Sequence, residues 1–196
     1  TESILQVSDV TLLDVDLGYA FNRTVVTIVG KPEAVLDAAI VSTSVAIRLI
    51  DMTSHSGEHA RMGAVDVVPF IPIQNSTMDD CISLSERYAK IVSDRFGIPV
   101  YLYANSARRM ERRRLPDIRR GEYEGLKEKL SMEIWKPDYG PSTFVPKTGA
   151  IATGARQVLI AYNINLNTND KKLANIIAGK ILSLIHISEP TRLAGI

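Results

Sequence analysis

Residues 22–33 read NRTVVTIVGKPE. Six β-branched residues stand in a row from Thr24 to Val29, and such side chains suit a pleated strand better than a helix. Gly30 ends the run. Lys31-Pro32-Glu33 then opens a helix: Pro32 stands where its missing N–H costs no hydrogen bond, and Glu33 meets the positive end of the helix. A strand, a tight link and a helix start therefore share twelve residues. Folds that pack helices on sheets are assembled from such units.

The same alternation continues on both sides. Upstream, Thr11–Asp16 reads as a short buried strand. Downstream, the helix runs from Pro32 to about Ile50, with Val35, Ala38, Ala39, Ser42 and Ala46 at helical spacing. Val65–Ile73 (VDVVPFIPI) is apolar and extended. Pro69 and Pro72 remove backbone donors there, so that strand must be short, bulged or at an edge. Thr77-Met78-Asp79-Asp80 carries a capping pattern, Cys81, Leu84, Tyr88 and Ile91 line one helical face, and Gly97 stands where a C-cap belongs.

Ile98–Ala104 (IPVYLYA) is the fourth strand, and Ala107–Met132 is charged and helical in pieces, broken at Pro116 and Gly121. Trp135–Gly149 (WKPDYGPSTFVPKTG) is too long for a simple connector and reads as a binding loop. Gln157–Asn163 (QVLIAYN) is the fifth strand and Lys171–Ile181 the last helix. The expectation is an α/β (α+β) fold, a mixed β-sheet with helices packed on one face, ferredoxin-like in part.

Composition bounds the function. In 196 residues, 45% are hydrophobic and 23% charged, as in a soluble globular protein of one ordinary domain or two small ones. A net charge of +1 provides no global field for nucleic acid or an anionic membrane. No apolar run is long enough to span a bilayer, and the first residues lack a signal-peptide pattern. Cys81 is alone, so no intrachain disulfide forms. A cytoplasmic location is expected.

The chemistry concentrates between the second and third strands, in DMTSHSGEHARMGAVD, residues 51–66. It holds two of the three histidines, three carboxylates and Arg61 in a glycine-punctuated loop, the setting in which catalytic groups tend to sit. The near-neutral imidazole of His59 suits a proton shuttle. His55-Ser56-Gly57-Glu58-His59 also matches H-x-x-E-H, a zinc-peptidase pattern that requires a helix to bring both histidines to one face. Ser54, Ser56 and Gly57 oppose a helix, so His55 reads better as a loop-ordering hydrogen-bond partner. Arg61 can grip a substrate carboxylate through its planar fork, or form a salt bridge with Glu58 or Asp66. Alternation places Asp14 and Asp16 on one face of the first strand, and Asp16 at its end could orient an imidazole or cap the turn to Asn22.

The Gly57-Glu58-His59-Ala60-Arg61-Met62-Gly63 stretch resembles the signature of the glutamate formiminotransferase family, the formiminoglutamate–tetrahydrofolate transferases. The resemblance covers roughly Leu12 to Ile177 and implies that His59 is the catalytic base, with Asp16 near the folate. Gly140-Pro141-Ser142-Thr143-Phe144-Val145-Pro146-Lys147-Thr148-Gly149 resembles the family's folate-binding stretch, where GPSSFVP is typical. There backbone groups would meet the pterin edge, Phe144 would stack and Lys147 would pair a carboxylate; Arg61 joins this binding set. The implied reaction moves a formimino group from N-formimino-L-glutamate to N5 of tetrahydrofolate, in histidine degradation and one-carbon metabolism, with folate as co-substrate and no metal. A glutamate formyltransferase, a non-catalytic folate-binding fragment and the zinc hydrolase are the other readings. Implied partners are the two small-molecule substrates, a C-terminal subdomain closing the folate site and, in the intact enzyme, a homo-oligomer.

Three further readings complete the expectation. The arginines 108, 109, 112, 113, 114, 119 and 120, diluted by four carboxylates and without interleaved aromatics, form a solvated helical face rather than a nucleic-acid site. The family's opening Cys-Val-Pro-Asn-Phe-Ser-Glu-Gly segment has no counterpart, so residues 1–181 are expected to be an N-terminal subdomain incomplete at its start. Leu182–Leu193 (LSLIHISEPTRL) resembles translated sequencing-adapter DNA, so 182–196 is expected to be a non-native tail, and His186 receives no function.

Overall fold

The computed structural model describes residues 1–159 and 166–184. The chain divides into two units, Thr1–Val158 and Leu159–Ile196. The first begins with a single helical turn, α1 (Glu2–Leu5), and a hairpin of β1 (Val10–Gly18) and β2 (Arg23–Gly30). β1 is longer than the expected 11–16 and mostly exposed rather than buried, because its antiparallel neighbour β2 is exposed as well. A bulge lies between Leu12 and Asp14. Beyond it Asp16 faces Val25 and Gly18 faces Arg23, so Asp14, Asp16 and Arg23 share one face. Asn22 turns the hairpin with φ 48°, a left-handed conformation that Asn tolerates better than most residues.

α2 (Pro32–Leu49) begins at Pro32 as the sequence requires. Glu33 reaches α3 (Met78–Phe96) through two bonds of 2.6 and 2.7 Å from Arg87. A buried pair between Thr43 and Tyr88, 2.6 Å apart, joins the same two helices, and burial pushes the Tyr88 phenol far above its usual range. Thr77 and Asp80 close a reciprocal capping box at the start of α3, and Gly97 ends that helix at φ 65°.

The remaining strands form a separate parallel sheet in the order β3 (Asp66–Phe70), β5 (Ile151–Ala155), β4 (Val100–Leu102). Pro69 is accommodated because β3 is an edge strand. One face of the sheet packs Phe70, Val100, Leu102 and Ile151 against Leu84, Tyr88, Ala89 and Val92 of α3. The other packs Tyr101, Tyr103 and Ala152 against Ile118, Leu126 and Leu130. These come from α4 (Leu115–Arg119) and α5 (Leu126–Ser131), so helices cover both faces of this sheet. The α/β class stands, with the strands shared between two sheets. Pro116 does not break a helix; it lies in the first turn of α4.

The central strand is Ile151–Ala155, whereas residues 157–159 form no regular structure and the rest of the expected strand 157–163 lies outside the described residues. Gly154 is required in β5: a side chain there would meet the Tyr103 carbonyl at 2.2 Å. In the second unit α6 (Lys171–Leu184) carries the expected last helix, and the Asp170 carboxylate caps it by accepting from the backbone of Lys172 and Leu173. Residues 185–196 lie outside the described residues.

Candidate active site

The polar loop after α2 forms no helix between Ile50 and Val65. It is fastened instead to the turn of the hairpin. Asn22 donates to the Ser56 carbonyl at 2.8 Å, and His55 Nε2 donates to the Asn22 carbonyl at 2.9 Å. Gly57 permits the approach, since a Cβ there would lie 2.4 Å from the Phe21 carbonyl. His55 is therefore the loop-ordering residue expected from the sequence. The zinc-peptidase geometry fails, because His55 and His59 lack the helix that would align them and a ring nitrogen of each is bound to a carbonyl.

His59 is half-buried, its ring edge-on to Phe21 at 6.0 Å. Nδ1 lies 2.8 Å from the Ala60 carbonyl, which can only accept, so Nδ1 carries the proton and Nε2 the lone pair. Arg23 Nη1 stands 2.8 Å from Nε2 and 3.2 Å from Nδ1, over the ring rather than in line with the Nε2 lone pair. Burial is the main cause that lowers the His59 pKa; Arg23 and Arg119 add to the effect, while the Ala60 carbonyl and Asp66 oppose it. The arrangement favours the neutral imidazole, oriented by its own loop, with Phe21 and Arg23 of the hairpin against its ring.

Asp66 starts β3 at φ 61° and accepts from the Met62 amide at 2.9 Å and from Arg119. This closes the loop that begins at His59. Arg61 is 12% exposed and already committed: it forms a fork with Glu124 at 2.6 and 3.0 Å, contacts Glu122 at 3.2 Å and donates to the His55 carbonyl. Neither Glu58 nor Asp66 is its partner, and its fork is not free for a substrate carboxylate. Asp16 is exposed on the hairpin and forms no hydrogen bond with His59 among the described residues.

The Gly140–Gly149 loop is brought beside the His59 loop. Ala64 donates to the Thr148 carbonyl at 2.9 Å, Ala150 to the Met62 carbonyl at 3.1 Å, and Gly63 bridges Gly149. Gly149, at φ 65°, leaves no space for a Cβ, which would lie 2.1 Å from the Met62 carbonyl. Phe144 stacks at an angle on Tyr123, centroids 5.4 Å apart, and Tyr123 donates to the Pro146 carbonyl at 2.7 Å. Lys147 is exposed, with Nζ 3.4 Å from the Arg48 carbonyl at the end of α2. Ser142 and Thr143 are exposed, Pro141 and Val145 half-buried, and Gly140 adopts φ 88° against the Ile98 carbonyl. Arg61, Tyr123 and Phe144 thus run in contact from one loop to the other.

Five arginines of the cluster, Arg108, Arg109, Arg113, Arg114 and Arg120, are exposed, as a solvated face requires, whereas Arg112 is buried on Asp138 at 2.6 Å and the half-buried Arg119 pairs with Asp66. Sequence reasoning missed Arg23 and Arg119 as neighbours of His59. The signal available for Arg23 was slight: Asn22 at a hairpin turn, with an arginine directly after it. Nothing in the spacing points to Arg119.

The formiminotransferase domain, N-terminal subdomain, matches this chain over residues 1–156. The formimidoyltransferase-cyclodeaminase of Gallus gallus is 52% identical over 176 residues, 90% of this chain and 32% of the relative. That of Dictyostelium discoideum is 51% identical over 166 residues, 85% of this chain and 31% of the relative. The glutamate formimidoyltransferase of Streptococcus pyogenes serotype M1 is 44% identical over 169 residues, 86% and 56% respectively. The chain spans about a third of the length of the first two relatives and just over half of the third. With its fold, its His59 loop and a family match over most of its length, the chain belongs to the formiminotransferase family and carries that domain's N-terminal subdomain.

Proposed function

We propose that this chain supplies the proton-transfer half of a glutamate formimidoyltransferase, with His59 as its catalytic base. The observation that carries the reading is the orientation of one ring: Nδ1 is tied to Ala60, which leaves the lone pair on Nε2 of a half-buried imidazole, in the same segment whose Met62–Ala64 end holds the 140–149 loop. N5 of tetrahydrofolate attacks the amidine carbon of N-formimino-L-glutamate, a new C–N bond forms, and Nε2 takes the N5 proton. The C–N bond to glutamate then breaks, and the same nitrogen returns that proton to the leaving amine. A single base serves both steps. A formyl donor would use the same groups; the likeness to the glutamate formimidoyltransferase of Streptococcus pyogenes favours formimino transfer.

Folate is proposed to lie along Gly140–Gly149, with Phe144 and the exposed Ser142, Thr143 and Lys147 as contacts. Arg61 then serves to hold the two loops together through Glu122 and Glu124, and Asp16 lines the approach from the hairpin. The matching relatives are longer, so a second subdomain is proposed to close the site, with homo-oligomerisation in the complete enzyme. Among the described residues no helix is long and apolar enough to cross a membrane, and Cys81 is buried and reduced in this reading, which suits the cytoplasm.

The test is turnover beside binding. Tetrahydrofolate binding and formimino transfer are measured on the chain alone and on the chain completed with the C-terminal part of the Streptococcus pyogenes relative. His59→Ala in the completed protein should lower kcat by about 10²–10⁴-fold, the range for loss of a positioned base, with folate binding nearly unchanged. Near-normal turnover in that variant removes His59 from the role. Binding without turnover in every form would make the chain a folate-binding module instead.

A further inference from the structure

Where α4 ends and the chain turns toward α5, four side chains between Arg119 and Glu124 reach both loops of the site. Arg119 donates to one oxygen of Asp66, and the other oxygen accepts from the Met62 amide at 2.9 Å, in the segment that carries His59. Glu122 and Glu124 hold Arg61 of that segment at 3.2 and 2.6 Å. Tyr123, between them, meets the other loop: its hydroxyl donates to the Pro146 carbonyl at 2.7 Å and its ring leans on Phe144. Backbone bonds already join Met62 and Ala64 to Ala150 and Thr148. The turn adds a fix on Arg61, Asp66, Phe144 and Pro146, which those bonds do not reach.

The turn is itself held from behind. Lys129 of α5 donates to the carbonyls of Asp117, Ile118 and Arg120. The Glu122 and Gly125 amides close on the Arg119 and Gly121 carbonyls, both at 2.7 Å. Gly121 and Glu122 take φ 86° and 53° in succession, and a glutamate keeps such a conformation only where its surroundings determine it. Arg119 and Asp66 are 15% and 14% exposed, so salt and water screen that pair little. We propose that this turn is a brace that sets the base against the folate loop: Arg119 is a positioning residue for His59, acting through Asp66, and Tyr123 is a positioning residue for the 140–149 loop, acting through Pro146. The inference rests on the roles proposed above for His59 and for that loop, and neither Arg119 nor Tyr123 has to touch a substrate.

Charge gives the Arg119 arm a signature that a merely structural contact lacks. The charged groups facing His59 are Arg23 from β2, Arg119 from α4 and Asp66 from β3; the arginines lower its pKa and Asp66 raises it. Removing the charge of Arg119 and that of Asp66 should therefore move the titration of His59 in opposite directions. General loosening of the loop would expose the ring and raise the midpoint in both cases, because burial is the main cause that lowers it.

The experiment uses the full 196-residue chain labelled with ¹⁵N, in which three imidazoles are present and the His59→Gln spectrum identifies the signal of interest. Arg119→Gln should raise the pH midpoint of His59. Asp66→Asn, which keeps an acceptor for the Met62 amide, should lower it, and Arg119→Lys should restore the wild-type value. Tyr123→Phe removes only a hydroxyl. It should leave the His59 midpoint unchanged and speed amide exchange at Thr148 and Gly149, which are bonded to the Val145 carbonyl, while the buried Val92 of α3 exchanges as in the wild type. Midpoints that shift with the same sign in Arg119→Gln and Asp66→Asn, midpoints that do not move, or an Arg119→Lys value equal to that of Arg119→Gln overturn the brace. Unchanged exchange at Thr148 and Gly149 in Tyr123→Phe, or faster exchange that extends equally to Val92, overturns it as well. Neither readout uses turnover or folate, so a protein that binds no folate would refute the proposed function and leave the brace standing.

Discussion

Replacing Arg112 by methionine should cost about 3–5 kcal/mol of folding stability, the range for breaking a buried ion pair by removing one partner. The structure indicates why the upper part of that range applies. Arg112 and Asp138 are 1% and 5% exposed and lie 2.6 Å apart. The same guanidinium donates to the carbonyls of Ile134 and Lys136 and lies 5.1 Å from the centre of the Tyr101 ring. Methionine preserves much of the apolar stem and none of the donors. Asp138 would keep a single donor, the Leu102 amide at 2.8 Å, and two backbone carbonyls would lose their partner. The double variant Arg112→Met/Asp138→Leu removes the stranded charge and adds one neutral group, the Leu102 amide, to the two unpaired carbonyls, at about 1–3 kcal/mol. It should therefore be more stable than Arg112→Met alone. Urea unfolding followed by the fluorescence of Trp135, the single tryptophan, reads both variants, because Trp135 sits within the segment that Arg112 holds. A loss below about 1 kcal/mol at unchanged m-value, or a double variant less stable than the single, would refute the reasoning. That segment leads into Gly140–Gly149, so the same variants should weaken folate binding in the completed protein.

Gly97 and Gly149 share φ 65° and differ in surroundings: a Cβ at Gly97 meets nothing within 4 Å, and one at Gly149 lies 2.1 Å from the Met62 carbonyl. Gly97→Ala should lose about 1–2 kcal/mol from the left-handed conformation alone, and Gly149→Ala clearly more, as denaturant midpoints would show; equal losses would mean that the strand-like contact to Met62 carries no constraint. Lys129 is buried, donates to the carbonyls of Asp117, Ile118 and Arg120 at the end of α4, and lies 4.3 Å from the centre of the Trp135 ring. Burial lowers its pKa to about 8, against an ordinary 10.5, so between those values the unfolded chain binds more protons than the folded one. Stability should then rise from about pH 8 to pH 10, above which Tyr88 and Tyr101, raised by burial, pull in the opposite direction. Lys129→Met should flatten that rise in urea titrations at stepped pH, and a rise of unchanged size would assign it to other groups.

The elements legible in the sequence are those whose information is local. Pro32, the Thr77–Asp80 box and Gly97 mark helix ends through bonds made within one turn, and all three stand where expected. The strand that closes the parallel sheet was illegible for the opposite reason. Ile-Ala-Thr-Gly-Ala has weak strand propensity and no alternation, because β5 is buried on both faces and Gly154 must admit the Tyr103 carbonyl. Gln157–Asn163 looked more strand-like because it is rich in apolar and aromatic residues. The exposure of β1 was illegible too: Leu13 and Leu17 are residue types that are ordinarily buried, and only the three-dimensional arrangement leaves them at the surface.

The site divides along the same line. His59 and the 140–149 loop were legible as segments, because polar groups crowded between apolar elements signal function locally. Their chemistry was not legible, because it depends on residues far away in the chain. The His59 ring is met by Arg23, 36 positions upstream, and Arg61 is taken up by Glu124, 63 positions downstream. Spacing cannot report such pairs, yet they decide that Arg61 is spent on holding its loop to Glu122 and Glu124. A fork already closed on two glutamates stabilises the loop whether or not a ligand is present.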